Sequence, residues 1–219
     1  MDAQVAGGKA PIVALRDVAG VEAGLVYASR ADASVVFECR AYRYGKAASI
    51  TLAADQLREG SLQWSDDDQY LVNDVTNRRD GGAAQRYAAP ASIQEYGTYA
   101  GGASLPWASD ADALMNAQWH VSNGADPPPR ITRFSVVANS LASYQSILGL
   151  NISDVVSLTN LPITSPEQST KVNVEGYSET IEFNYHTITF NTSPARISNV
   201  WRLGVAGSSE LGVNTKLAL

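Results

Sequence analysis

Sulfur and imidazole are scarce in this chain, which has one cysteine, two methionines and two histidines in 219 residues. A single cysteine, Cys39, excludes an intrachain disulfide and a cysteine metal cluster. Its setting, Val35-Val36-Phe37-Glu38-Cys39, reads as a packed small apolar residue rather than a reactive thiol. No apolar run approaches the ~20 residues that a membrane-spanning helix needs. The first residues show no basic-then-apolar pattern, so secretion by that route is not expected. The Asn151-Ile152-Ser153 and Asn191-Thr192-Ser193 sequons are then read as chance matches. Positive charge is also short. The net charge is −6, which disfavours sequence-independent binding to nucleic acid or to an anionic membrane. Most of the excess acid lies in residues 61–130, and no basic stripe occurs anywhere.

The motifs of common enzymes are missing as well. His120 and His186 lie outside any His-Glu-x-x-His pattern, and there is no Gly-x-Ser-x-Gly elbow. Each histidine reads as a surface or internally satisfied side chain. Asp66-Asp67-Asp68 lacks the glycine and distal glutamate of a calcium loop and reads as a solvated acidic turn. Glu175, Glu179 and Glu182 are the densest carboxylates. Folding could pair them as in a glycosidase, but their alternation favours an exposed strand face. Gly81-Gly82, Gly101-Gly102 and Gly207 form no dinucleotide or phosphate-binding fingerprint. No catalytic, metal or cofactor residue is assigned, and nothing in the sequence requires a cofactor. Trp64, Trp107, Trp119 and Trp201, with ten tyrosines, leave a sugar-stacking platform as an alternative.

What is present is a β-rich pattern with two clear helices. Pro11 suits the first turn of a helix carrying Ile12, Leu15, Val18 and Ala19 at helical spacing. Gly24–Tyr27 and Ser34–Cys39 read as a hairpin around residues 30–33, and Ile50–Leu52 as a short strand. Leu71–Asn77 and Ala83–Tyr87 flank a strong turn at Asp80-Gly81-Gly82. Ser109 is an N-cap candidate for a helix to Val121, with Asp110 and Asp112 in its first turn. Ala111, Leu114, Met115 and Trp119 make the expected buried stripe. Pro127-Pro128-Pro129 is the best boundary in the chain. Beyond it, Ile131–Ala138 and Asp154–Thr159 read as strands, with a short helix at Ser140–Leu148.

The segment Lys171–Ala195 carries a phase error. Val172 and Val174 share one parity, whereas Tyr177, Ile181 and Phe183 occupy the other. A period-2 pattern slips in this way at a β-bulge, which is expected at or next to Gly176. Ile188 and Phe190 restart the alternation in a returning strand, and Pro194 is expected to end it.

Val174-Glu175-Gly176-Tyr177 and Thr189–Ala195 resemble the C-terminal part of minor tail (tail-tip hub) proteins of long-tailed phages of actinobacteria. The resemblance continues through Glu22–Tyr27, Val35–Arg40, Leu71–Thr76, Ala91–Gly97, Ala117-Gln118-Trp119, Pro129-Arg130-Ile131, Trp201–Gly204 and Leu211-Gly212, in order. Two details depart from it. Residues 30–33 replace a glycine-containing turn, and His186 stands where a tryptophan is common. The family's first β-barrel domain, which precedes the helix at Pro11, is also missing.

The resemblance implies a non-enzymatic virion protein at the tail tip. It would be a baseplate-hub-like homotrimer whose pseudo-sixfold ring closes the tail tube. Implied partners are the distal tail protein, the tape-measure protein and receptor-binding fibres or a spike. Either a separate chain supplies the missing barrel, or this sequence is the C-terminal part of a longer protein. The expected fold is α+β and β-rich. It comprises a lead-in (1–10), an α+β hub domain (11–126), an antiparallel β-barrel-like hub domain with the bulged hairpin (131–206), and a C-terminal extension (207–219). A carbohydrate- or receptor-binding module of the tail tip and a cell-wall hydrolase are the alternatives.

Overall fold

The computed structural model describes residues 10–43 and 45–195. The expectations for Trp201–Gly204, for Leu211-Gly212 and for the extension 207–219 lie outside them. The described residues are α+β and β-rich, with eleven strands in three sheets and four α-helices among them.

Helix α1 (Pro11–Glu22) opens on proline and closes on Ala23, which takes the left-handed conformation (φ 49°, ψ 36°). Gly24 follows for a different reason. A Cβ there would stand 2.4 Å from the Glu38 carbonyl oxygen, across the ribbon of β1 (Leu25–Ala28) and β2 (Val35–Glu38). The hairpin forms where the alternation places it, with a turn over residues 29–34. A short 3₁₀ turn, Arg40–Arg43, ends this unit.

A six-stranded sheet is the centre of the molecule. Its strands are β3 (Ile50–Ala53), β4 (Gln63–Ser65), β8 (Arg130–Val137), β9 (Val155–Thr159), β10 (Thr170–Ile181) and β11 (His186–Pro194). They lie in the order β3-β9-β10-β11-β8-β4. Only β3–β9 is parallel. The strands β3 and β4 are edges, and no pairing among the described residues closes the sheet into a barrel. Both edge strands precede Pro127, so the large sheet draws on sequence from either side of the proline run. The prolines mark where the chain enters β8.

The bulge lies where the hydrophobic parity changes. Val174 pairs with Thr192 and Gly176 with Asn191, which leaves Glu175 as the extra residue. On one side of it Val172 and Val174 are buried, and on β11 Ile188 and Phe190 are fully buried. Pro194 ends the returning strand as expected and forms its last ladder pair, with Val172. The cross-strand pair Phe134 and Phe190, with ring centroids 5.3 Å apart, sits in a core that includes Leu52, Ile131, Val136, Val156 and Leu158. The short helix α4 (Tyr144–Leu148) adds Ile147. This helix begins later than expected, after a 3₁₀ turn at Ala138–Ser140.

The remaining region is a three-stranded sheet, β6-β5-β7, covered by a helix. Strands β5 (Asp74–Asn77) and β6 (Gln85–Ala88) form the hairpin around Gly81, whose φ of 71° suits glycine. Helix α2 (Pro90–Tyr96) and the two-residue strand β7 (Ala100–Gly101) follow; the sequence patterns had suggested neither of them, nor β4. Helix α3 (Asp110–Gly124) starts with a complete capping box. The Ser109 hydroxyl accepts from the Asp112 amide at 3.1 Å, and the Asp112 carboxylate accepts from the Ser109 amide at 3.0 Å.

The buried face of α3 is not the expected one. Ala113, Asn116, Ala117 and Val121 are buried, whereas Met115 is 48% exposed and Leu114 and Trp119 are half-buried. The observed stripe is displaced by two residues, about 200° around the helix. Its members are small because the helix lies close over β5 and β6; even Gly124 has the Val72 backbone 3.1 Å from where a Cβ would be. Cys39 likewise departs from expectation and is exposed, lying just past the buried Glu38 at the end of β2.

Candidate functional site: charged contacts and exposed apolar surfaces

The carboxylates on β10 are engaged by cations. Arg43 holds Glu175 through two hydrogen bonds, at 2.8 and 3.1 Å, and Ser193 donates to the same carboxylate. Glu179 accepts from Arg30 on one oxygen, and its other oxygen lies 2.8 Å from His186 Nε2. The second ring nitrogen of His186 faces the Tyr144 hydroxyl at 3.0 Å, and its backbone amide donates to Asn139. His186 is therefore a buried, fully partnered side chain. Glu182 is exposed beside the hairpin tip, where its amide closes the turn onto the Tyr185 carbonyl.

The acidic turn is also tied into the fold. Asp67 accepts from Ser65, from the Gln69 amide and from Arg130. The Ser65 hydroxyl, with Arg130 behind it, lowers the Asp67 pKa to about 2. Arg130 is 4% exposed at its side chain, and its guanidinium lies 4.4 Å from the centre of the Tyr70 ring. Asp68 accepts from the Tyr99 hydroxyl at 2.6 Å. Among the described residues no group of three or more His, Cys, Asp or Glu is arranged to hold a metal ion, and no helix is long and apolar enough to cross a membrane.

The described tryptophans, Trp64, Trp107 and Trp119, do not form one platform. Trp107 is buried, and Trp64 packs against the large core. Trp119 has the Arg40 guanidinium 5.6 Å from its ring and the His120 ring edge-on at 4.9 Å. His120 is exposed on one side. Even so, desolvation by its neighbours, and then Arg40, lower its pKa. Trp119, His120, Tyr70, Pro127, Pro128 and Pro194 line a cavity of about 420 Å³ between the small region and the large sheet.

Two apolar surfaces face solvent. On α1 and β2, Ile12, Val13, Leu15, Val35 and Phe37 are between 38 and 68% exposed. At the β10–β11 tip Ile181, Phe183 and Tyr185 project outward, with Phe183 fully exposed. The alternation of β10 located these hairpin residues but not their environment: beyond Glu179 the ribbon extends past its neighbours. Isolated exposed apolar residues are ordinary, whereas grouped ones mark contact surfaces.

Solved virion and tail proteins have a similar fold. A chain from the virion of a native gene transfer agent particle superposes with a TM-score of 0.60 at 16% identity, covering 88% of this chain and 41% of that one. The 43 kDa tail protein of prophage MuSo2 from Shewanella oneidensis gives 0.59 at 12% identity, covering 89% and 54%. A tail protein from Neisseria meningitidis MC58 gives 0.57 at 12% identity, covering 88% and 57%. The chain thus spans about half the length of the solved chains it resembles. No protein-family model and no curated protein matches it. At these identities the likeness establishes the fold alone. The assignment to actinophage hub proteins is finer than this likeness reaches.

Proposed function

We propose that this chain is a structural, non-enzymatic component of a phage-type tail, and within it a tail-tip hub (minor tail) protein. It closes the distal end of the tube and anchors receptor-binding fibres or a spike. The shared tail-protein fold over nearly the whole described chain carries this reading. The β10 glutamates support the non-enzymatic part, since Glu175 and Glu179 are committed to arginines. The exposed faces of α1 and of the hairpin tip fit a protein that works in an assembly. In this reading three copies surround one axis. The distal tail protein and the tape-measure protein are neighbours. The acidic stretch 61–130 suits a lumen along which DNA passes without adhering.

Imaging the particle with a label on this chain tests the position directly; density at the tail tip is expected. Light scattering tests the assembly, with association expected. A monodisperse monomer at micromolar concentration that cleaves peptidoglycan would overturn both the hub role and the non-enzymatic role. A second reading, a glycan- or receptor-binding module of the tail tip, is favoured by one observation, the cavity lined by Trp119 and Tyr70. If Trp119→Ala abolished glycan binding with the fold intact, this second reading would replace the first.

A further inference from the structure

The unit formed by α1, β1, β2 and the 3₁₀ turn has almost no core of its own. Ala19 is the only buried apolar residue between positions 10 and 43, and neither hydrophobic cluster includes any of these residues. At one end its helix is tied to α3, where Asn116 donates to the carbonyls of Gly20 and Val21 at 3.4 and 3.3 Å. Its other contacts, with the large sheet and the turn before β9, centre on two arginines, and the Arg30 amide also donates to the Asn151 side chain at 3.4 Å. Cations on the unit meet carboxylates on the sheet.

Alternate residues of β10 receive these cations. Arg43 binds Glu175, the Arg30 guanidinium lies 4.6 Å from the Tyr177 ring centre, and Arg30 binds Glu179. Arg30 comes from the hairpin turn and Arg43 from the 3₁₀ turn, so the ribbon is pinned at both ends. Arg30 also reaches the carbonyls of Ile147 and Leu150, at 3.5 and 3.4 Å, and Arg43 reaches Ser153. His186 shares Glu179 from the opposite side, and Lys46 pairs with Asp154 at the root of the unit. Next to that root Gly45 takes a left-handed conformation, φ 64°. Every charged side chain in the two arginine contacts is 12–32% exposed, and so within reach of solvent ions.

We propose that residues 25–43 form a releasable arm, latched to the bulged hairpin by Arg30–Glu179 and Arg43–Glu175, which opens about the Gly45 root as ionic strength rises. Exposed ion pairs are screened by salt, whereas apolar packing is not weakened by it. An arm held chiefly by such pairs is therefore the part of this fold that salt releases first. The bulge is part of the device. By inserting Glu175 it places that residue, Tyr177 and Glu179 beneath the arm while Val172 and Val174 stay in the core. The inference stands independently of the hub assignment.

The test is a distance between spin labels at Ala31→Cys and Thr180→Cys in the full chain carrying Cys39→Ser. At low salt a single short distance is expected. Near 1 M NaCl a second, longer population should grow at least about tenfold. The Glu175→Gln, Glu179→Gln double variant should show the longer population already at low salt, with little further response. A short distance that persists in 1 M salt on the otherwise unaltered chain would overturn the proposal, as would a double variant that stays latched.

Discussion

The six-stranded and the three-stranded sheets of this protein are held together by different chemistry. The six-stranded sheet is apolar inside, with Phe134, Phe190, Ile188, Leu52 and Val156 at zero exposure. The three-stranded sheet gives only Val75 to a small cluster completed by Ala117 and Val121 of α3, and buried amides occupy much of the rest. Asn77 donates to the Ala113 carbonyl and to Asn116, and accepts from the Ala103 amide. Asn73 donates to Ser92 and the Gly97 carbonyl, and accepts from the Tyr99 amide. Burial of hydrocarbon is non-directional and additive over area. A buried amide contributes modestly when satisfied and costs heavily when one partner is removed. The first sheet should therefore tolerate change in proportion to lost volume, and the second should respond to the loss of single hydrogen bonds.

The largest effect should come from the apolar core. Phe190→Ala removes a ring stacked on Phe134, and is expected to cost about 3–5 kcal/mol in denaturant unfolding. Trp119→Ala should cost clearly less, because Trp119 is only half-buried. Equal costs for the two would show that α3 buries the face expected from its large side chains. Next in size is Asn77→Ala, which strands the Ala103 amide and the Asn116 amide oxygen. A loss of about 2–3 kcal/mol is expected, with hydrogen exchange rising in β5 and α3 before the large sheet. Uniform exchange through both sheets would remove the distinction between them. Ser109→Ala breaks the capping box and should cost about 1 kcal/mol, measured as a shift in the unfolding midpoint.

The smallest effect concerns Asp67, which joins the two regions through Arg130. Its carboxyl is lowered to about 2 in the folded chain, against roughly 3.9 for a free aspartate. A depressed carboxyl contributes its stability above the unfolded pKa and loses it as pH falls through the folded one. The Tm difference between the unaltered chain and Asp67→Asn should thus be constant above about pH 5 and shrink between about pH 4 and 2. A difference that persists at pH 2 would show that Asp67 acts through geometry and not through charge.

The local elements were largely legible in advance. Pro11, the alternation around residues 30–33, the Gly81 turn, the Ser109 cap and the phase error before Gly176 each carry a short-range physical signal. The candidate site was much less so. Glu175, Glu179 and His186 are separated from Arg43, Arg30 and Tyr144 by up to about 150 positions in the chain, and nothing in the pattern around any one residue names its partner. Cys39 and α3 fail for a related reason. Both were judged on apolar character, but α3 was turned by the closeness of its sheet, which admits alanine and excludes methionine.

Sequence by itself determined the β-rich class, the near-absence of motif chemistry, the acidic balance and the place of the bulge. All of these follow from composition or from periods of two to four residues. Only the tertiary structure decided that strands β3 and β4 cross to the sheet that follows the prolines, and that α3 packs on its small residues. It also decided that the densest carboxylates are occupied by arginines from a distant hairpin. Those outcomes depend on which surfaces meet when the whole chain closes, and so on volume and charge summed over segments far apart in sequence.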